Sequence, residues 1–237
     1  MLARWLPAAI NTRPGEWSRA AIGMALGTLC SVWVCAQVFG MEVALHLLGP
    51  LGASAVLLFA VSSGALAQPW SIMGSYLCAG IVALLVARVL GRTLGSACFA
   101  AGMTVILICW LRCLHPPAGG LAMTLVLADP ASSALGWQAL APVMLGAGAL
   151  LACALAYNNA TRTRYPKAAL ESPPIGVGNA APLTDPSITA ADLKRALAEM
   201  EQFYDVAPAE LEQLIHAAQG HARRRSIGQV LASRPTA

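Results

Sequence analysis

The sequence predicts an all-α membrane protein of four long transmembrane helices, two short, re-entrant helices and a small cytosolic helical tail. Three observations predict it. Of 237 residues, 57% are hydrophobic and only 11% charged, and the mean hydropathy is +0.64. Of the 15 basic and 11 acidic residues, only Glu42, Arg88, Arg92, Arg112 and Asp129 fall between Ala20 and Tyr157. A water-soluble fold needs polar surface throughout, so that stretch faces lipid. Finally, apolar runs long enough to cross a bilayer alternate with runs that are too short.

The elements follow in order. Ala20 to Gly40 is apolar for about twenty residues, enough at ~1.5 Å per residue to cross a ~30 Å hydrocarbon core. Gly49-Pro50-Leu51-Gly52 then opens a short run, Ala53 to Ala67, which Gln68-Pro69-Trp70 closes. Ile72 to Leu90 and Leu94 to Leu111 are the second and third spans. The segment His115-Pro116-Pro117-Ala118-Gly119-Gly120 opens a second short run, Leu121 to Ala128, and Leu135 to Tyr157 is the last long span. The order long, short, long thus occurs twice. Pro50 and Pro116, like Gly80 and Gly146, are 66 residues apart, which suggests an architectural repeat.

Charge at the span ends sets the expected orientation. With the short elements re-entrant, four crossings put Arg4, Arg13, Arg19, Arg88, Arg92, Arg162, Arg164 and Lys167 on the cytoplasmic side and misplace only Arg112. Six crossings would move Arg88 and Arg92 outside and Arg112 inside. The four-span arrangement is the expectation; both place the two termini in the cytoplasm of a multi-pass inner-membrane protein. The N-terminal stretch has no small-x-small cleavage signal, so no leader is expected.

The domain organisation follows from the same shifts in composition. Residues 1–19 form a cytosolic segment, 20–158 the membrane domain, and 159–187 a linker rich in Pro, Gly, Ser and Ala. Residues 188–225 predict two amphipathic helices, the first opened by Thr189-Ala190-Ala191-Asp192, the second starting near Pro208 and ending before Gly220. His216 and His221 read as solvated, with no clustered partner to make a metal site.

Several function classes are excluded. A net charge of +4 comes from cations scattered at span ends, which anchor helices rather than bind nucleic acid. All seven cysteines lie in the apolar part without a CxxC pair, and read as small packing residues. Along the sequence there is no HExxH, no pair of aspartates, no serine close to a base and no glycine-rich phosphate loop. No enzyme activity, metal or cofactor is expected.

The chemistry is expected at the two breaks. The tandem prolines end one helix and let another begin, so backbone is interrupted at membrane depth, where it survives only packed in protein or lining a watery cavity. A helix opening near Ala118 would offer free amides and the positive end of its dipole to an anion. Arg112 and His115 add the same sign of potential, and Gly119 and Gly120 permit close approach. Gly49, Pro50, Gly52 and Ser54 repeat that logic in the first half. The expected substrate pathway is therefore Arg112, His115, Pro116, Pro117, Gly119 and Gly120 with Gly49, Pro50, Gly52, Ser54 and Gln68. Against this stands a structural role in which His115 bridges helices and Arg112 snorkels.

These residues also carry a resemblance. Leu111 to Gly120, LRCLHPPAGG, and Gly49 to Trp70, GPLGASAVLLFAVSSGALAQPW, resemble the two signatures of the HPP family of integral membrane proteins, over about Trp17 to Pro166. The resemblance implies a four-span transmembrane domain, a transport role, and, from plastid members, nitrite as a substrate. His115, Pro116 and Pro117 carry over as the motif, with Gly49, Pro50, Gly52, Ala53, Ser54, Gln68 and Pro69 as the other signature. Some members continue into CBS domains; residues 226–237 resemble the start of one, read as truncated or vestigial, and no nucleotide site is assigned. The expectation is a passive or coupled permease for a small anion in the lipid bilayer, assembled as a homo-oligomer. The competing expectation is a non-transporting scaffold or sensor.

Overall fold

The structure, a computed structural model, describes residues 14–128, 135–166 and 215. All but Ile215 belong to the compact unit Thr12–Ala169. The amphipathic helices expected in 188–225 and the segment at 226–237 lie outside the described residues, as do Asp129 and Lys167, and Ile215 alone is seen as helical.

The described residues form seven α-helices: α1 (Pro14–Phe39), α2 (Met41–His46), α3 (Leu48–Ala60), α4 (Pro69–Leu90), α5 (Leu94–Trp110), α6 (Pro117–Val126) and α7 (Leu140–Ala160). Local chemistry sets their limits. Gly40 at φ 90° and Gly91 at φ 77° end α1 and α4 in a backbone region that costs glycine nothing. Pro69 and Pro117 open α4 and α6, where a missing N–H would be unpaired anyway. Thr93 caps α5 by accepting from the Ser96 amide at 3.1 Å.

Three stretches are long and apolar enough to cross a membrane: Gly15–Phe39, Pro69–Leu90 and Gly136–Ala160. α5, expected as a full span, has 17 residues, about 26 Å of helix. α3 and α6, with 13 and 10 residues, reach about 20 and 15 Å. Large apolar side chains cover the outer faces: Leu29, Trp33, Val89, Ile106 and Trp110 are exposed. In lipid that surface has nothing to hide from.

Two ends of the bundle are fixed by tertiary contacts. At the first, Arg19 of α1 donates to Asn158 Oδ1 at 2.9 Å and to Phe59 O at 3.1 Å, and Asn158 donates to Leu58 O at 3.0 Å. The N-terminus of α1 and the C-termini of α3 and α7 therefore meet there. At the other end, Arg92 donates to Leu125 O and Val126 O at 3.0 and 3.2 Å, joining the end of α4 to the end of α6. Cys35 meets Pro142 O there, so α1 ends where α7 begins.

The short helices thus connect opposite ends of the bundle. α3 runs from the Arg92 end to the Arg19 end and α6 runs the other way, so the expected re-entrant geometry is not what the described chain adopts. The physical reason is local. α2 precedes α3 with only Leu47 between them, and the non-helical stretch 111–116 precedes α6; each supplies length that the short helix lacks. The chain then runs from end to end six times.

The expected repeat has a counterpart in packing. α1 packs on α3 and α7, and α5 packs on α6 and α4, while α3 meets α6 between the halves. The first half (α1, α3, α4) and the second (α5, α6, α7) each place a short helix between two longer ones, running in opposite senses. Close approach is built in by small residues. Gly23 and Gly27 on α1 receive the Phe59 ring; a Cβ on Gly27 would lie 2.7 Å from its Cε2 and Cζ.

Candidate functional site

Of the two expected breaks, the one at His115-Pro116-Pro117 is present, whereas the one expected at Gly49-Pro50-Leu51-Gly52 is not: α3 runs unbroken through Pro50, whose missing donor costs nothing in a first turn. Two interrupted segments lie toward the Arg19 end. The first is residues 61–68, with one turn of 3₁₀ helix at Ala65–Ala67. The second is 111–116, where Arg112 adopts φ 54°. Helical hydrogen bonding fails in both, so their carbonyls need other donors. Side chains supply them. In the first break Gly64 O accepts from Gln68 Nε2 at 3.1 Å, Ala65 O from Ser71 Oγ at 2.8 Å, Leu66 O from His115 Nδ1 at 2.7 Å, and Ala67 O from Tyr165 Oη at 2.6 Å. In the second, Leu111 O accepts from Trp70 Nε1 at 3.3 Å.

His115 is the junction between the breaks. It is fully buried, and its Nδ1 donates to a carbonyl, which can only accept. Its Nε2 is 2.7 Å from Ser54 Oγ, which is 2.7 Å from Tyr76 Oη. With a neutral imidazole, Nε2 accepts the Ser54 hydroxyl proton and Ser54 accepts from Tyr76, so every polar atom is satisfied. Ser54 and Tyr76 are also fully or almost fully buried. Ser54 stands in the middle of α3, Tyr76 on α4 and His115 ahead of α6, so the chain of bonds crosses between the two halves.

The second break enters close against α4. A Cβ on Gly74 would lie 3.1 Å from Cys113 Cβ, and Cys113 is buried. Glycine at position 74 is what lets the segment dip inward before α6 starts.

The remaining expected residues divide sharply. Pro50 is buried in the first turn of α3, Pro117 opens α6 half-buried, and Pro116 is exposed. Gly49, Gly52, Gly119 and Gly120 have open space where a side chain would stand. Arg112, inside the second break, is exposed and is not among the partners of His115. The expected free amides at the start of α6 are not free. Pro116 and Pro117 have none, while Ala118 N donates to His115 O at 3.0 Å and Gly119 N to Pro116 O at 3.1 Å. The same prolines that break the chain remove the donors a helix terminus would offer an anion.

Sequence reasoning missed Tyr76, the Leu66 carbonyl, and the Arg19 and Asn158 clamp on the end of α3. None has a local signal. Tyr76 is 22 residues from Ser54, Leu66 is 49 from His115 and Asn158 is 139 from Arg19. The seven cysteines are free thiols, with Cys35, Cys78 and Cys113 buried.

An apolar helical bundle, its interrupted segments tied together through buried side chains, defines an integral membrane protein of the broken-helix kind. The chain matches the HPP transmembrane region family over residues 10–166, more than half its length, and belongs to that family. It is also 30% identical over 125 residues to a transmembrane protein of Dictyostelium discoideum, covering 51% of this chain and 44% of that protein. The alignment thus spans less than half of that relative. No solved structure matches the chain.

Proposed function

We propose that the protein is a permease for a small anion, nitrite among the candidates, and that its two halves work as an inverted repeat. One observation carries the reading. Two units, each a short helix between two longer ones, run in opposite directions, pack in the same pattern, and meet where His115 of the second break bonds Ser54 of α3, which bonds Tyr76 of α4. Inverted repeats joined by discontinuous helices are a recurrent transporter architecture, with the pathway at the interface between repeats. In this reading His115, Ser54 and Gln68 hold the breaks in shape. Arg112 and the open faces of Gly119, Gly120, Gly49 and Gly52 are the groups an ion would pass.

The crossings number six in this proposal, because the chain changes ends six times. Arg19, Arg112, Arg162 and Arg164 then share one side, which the excess of cations assigns to the cytoplasm of an inner membrane, with both termini on it. No enzymatic step and no cofactor enters, and the subunits assemble as a homo-oligomer.

The experiment is uptake of nitrite, nitrate, formate and chloride into liposomes holding the purified, folded protein. Protein-dependent flux of at least one ion is expected, reduced in Arg112→Gln with the fold unchanged. Absence of flux for all four would overturn the permease and leave the scaffold reading.

A further inference from the structure

A second feature lies at the Arg92 end, away from both breaks. A cavity of about 270 Å³ opens there, lined by Leu84, Ala87, Arg88, Arg92, Gly136 and Trp137. Arg88 stands in the last turn of α4 and Arg92 just beyond its end, past Gly91, and both line the cavity. Like charges so close repel, and among the described residues no acidic side chain lines the cavity. Neither arginine makes an ion pair among the described residues, where Arg19 and Glu16 form one elsewhere. Arg92 is held by Leu125 O and Val126 O through Nη1 alone, which leaves Nε and Nη2 to donate outward. Trp137 adds an indole N–H and an apolar wall, half-exposed at 47%.

We infer that this cavity binds a phosphate-bearing anion. Two arginine forks with donors to spare match phosphate oxygens in charge and geometry, and the carbonyls at the end of α6 offset only part of that charge. The cavity also sits where α4 passes to α5 and where α7 begins, the level at which a bilayer places its headgroup phosphates. Leu84 and Trp137 suit the glycerol and first methylenes of a lipid. A separate crevice of about 20 Å³, room for roughly one water, shares Leu84 and Arg92 with it. The inference is independent of the permease reading.

The test uses the full chain in a neutral detergent. Native mass spectrometry measures binding of phosphatidylglycerol against phosphatidylcholine, and thermal stability is followed in inorganic phosphate against chloride at equal ionic strength. A preference for phosphatidylglycerol alone identifies a lipid headgroup as the source; stabilisation by inorganic phosphate as well identifies free phosphate. Either preference should fall about tenfold in Arg88→Gln, fall less in Arg88→Lys, which keeps the charge but not the fork, and persist in Arg112→Gln at the opposite end. No preference for either phosphate source, or equal losses in Arg88→Gln and Arg112→Gln, would overturn the site.

Discussion

His115 and Arg112 stand three positions apart and have opposite fates, which makes the residue scale testable. Removing the imidazole leaves Leu66 O without its side-chain donor and Ser54 Oγ with Tyr76 Oη alone as its side-chain partner, and opens a cavity in a packed interior. Each buried polar group left unpaired costs about 1–3 kcal/mol, so His115→Ala should lose about 2–4 kcal/mol, read as a lowered melting temperature in detergent. Arg112→Gln, on an exposed side chain, should stay within about 0.5 kcal/mol. Equal losses in the two variants would mean that the network does not fasten the breaks. The positions of both residues were legible in the sequence, because tandem prolines force a break wherever they fall. Their roles were not, because burial depends on what the chain brings over them from α3 and the first break.

At the scale of elements, the helices are held together less by their composition than by where their glycines fall. Gly27 has the Phe59 ring 2.7 Å from the point a methyl would occupy, with Leu150 Cδ1 at 3.3 Å behind it. A rigid ring cannot yield by rotating away, so Gly27→Ala should cost about 1–3 kcal/mol and loosen α1 from α3 and α7. Gly102 on α5 has nothing within 4 Å of that point; Gly102→Ala should be neutral or stabilise by up to about 1 kcal/mol through helix propensity. Unfolding of the two variants side by side in the same detergent checks the contrast. The end of α3 adds a second device. Its last carbonyls, at Leu58 and Phe59, are taken by Asn158 and Arg19, so a helix terminus without a C-cap glycine is closed by its neighbours. The sequence marks Arg19 as an anchor at a span end, and only the contact with α3 and α7 makes it a clamp.

At the scale of the whole molecule, the direction of α3 and α6 decides the topology. Hydropathy and length set these helices apart as short, and cation counting favoured turning them back. The structure sends each to the far end, so Arg88 and Arg112 belong to opposite ends of the bundle. A cysteine introduced at each position should react with an impermeant maleimide from opposite faces of sealed vesicles; labelling of both from one face would restore four crossings. The same arrangement turns a repeat with few identities into two halves of opposite sense.

The sequence alone determined that the chain lives in lipid, that a helix is interrupted at His115 to Pro117, and that it resembles the HPP family. These are properties of local composition and of residues whose backbone limits hold in any fold. Only the tertiary structure decided that His115 bonds Ser54 and Leu66 rather than facing a cavity. It alone made the short helices run end to end and set Arg88, Arg92 and Trp137 around one pocket. Those outcomes join residues tens of positions apart, and their partners are chosen by which buried polar groups must be satisfied once the helices pack.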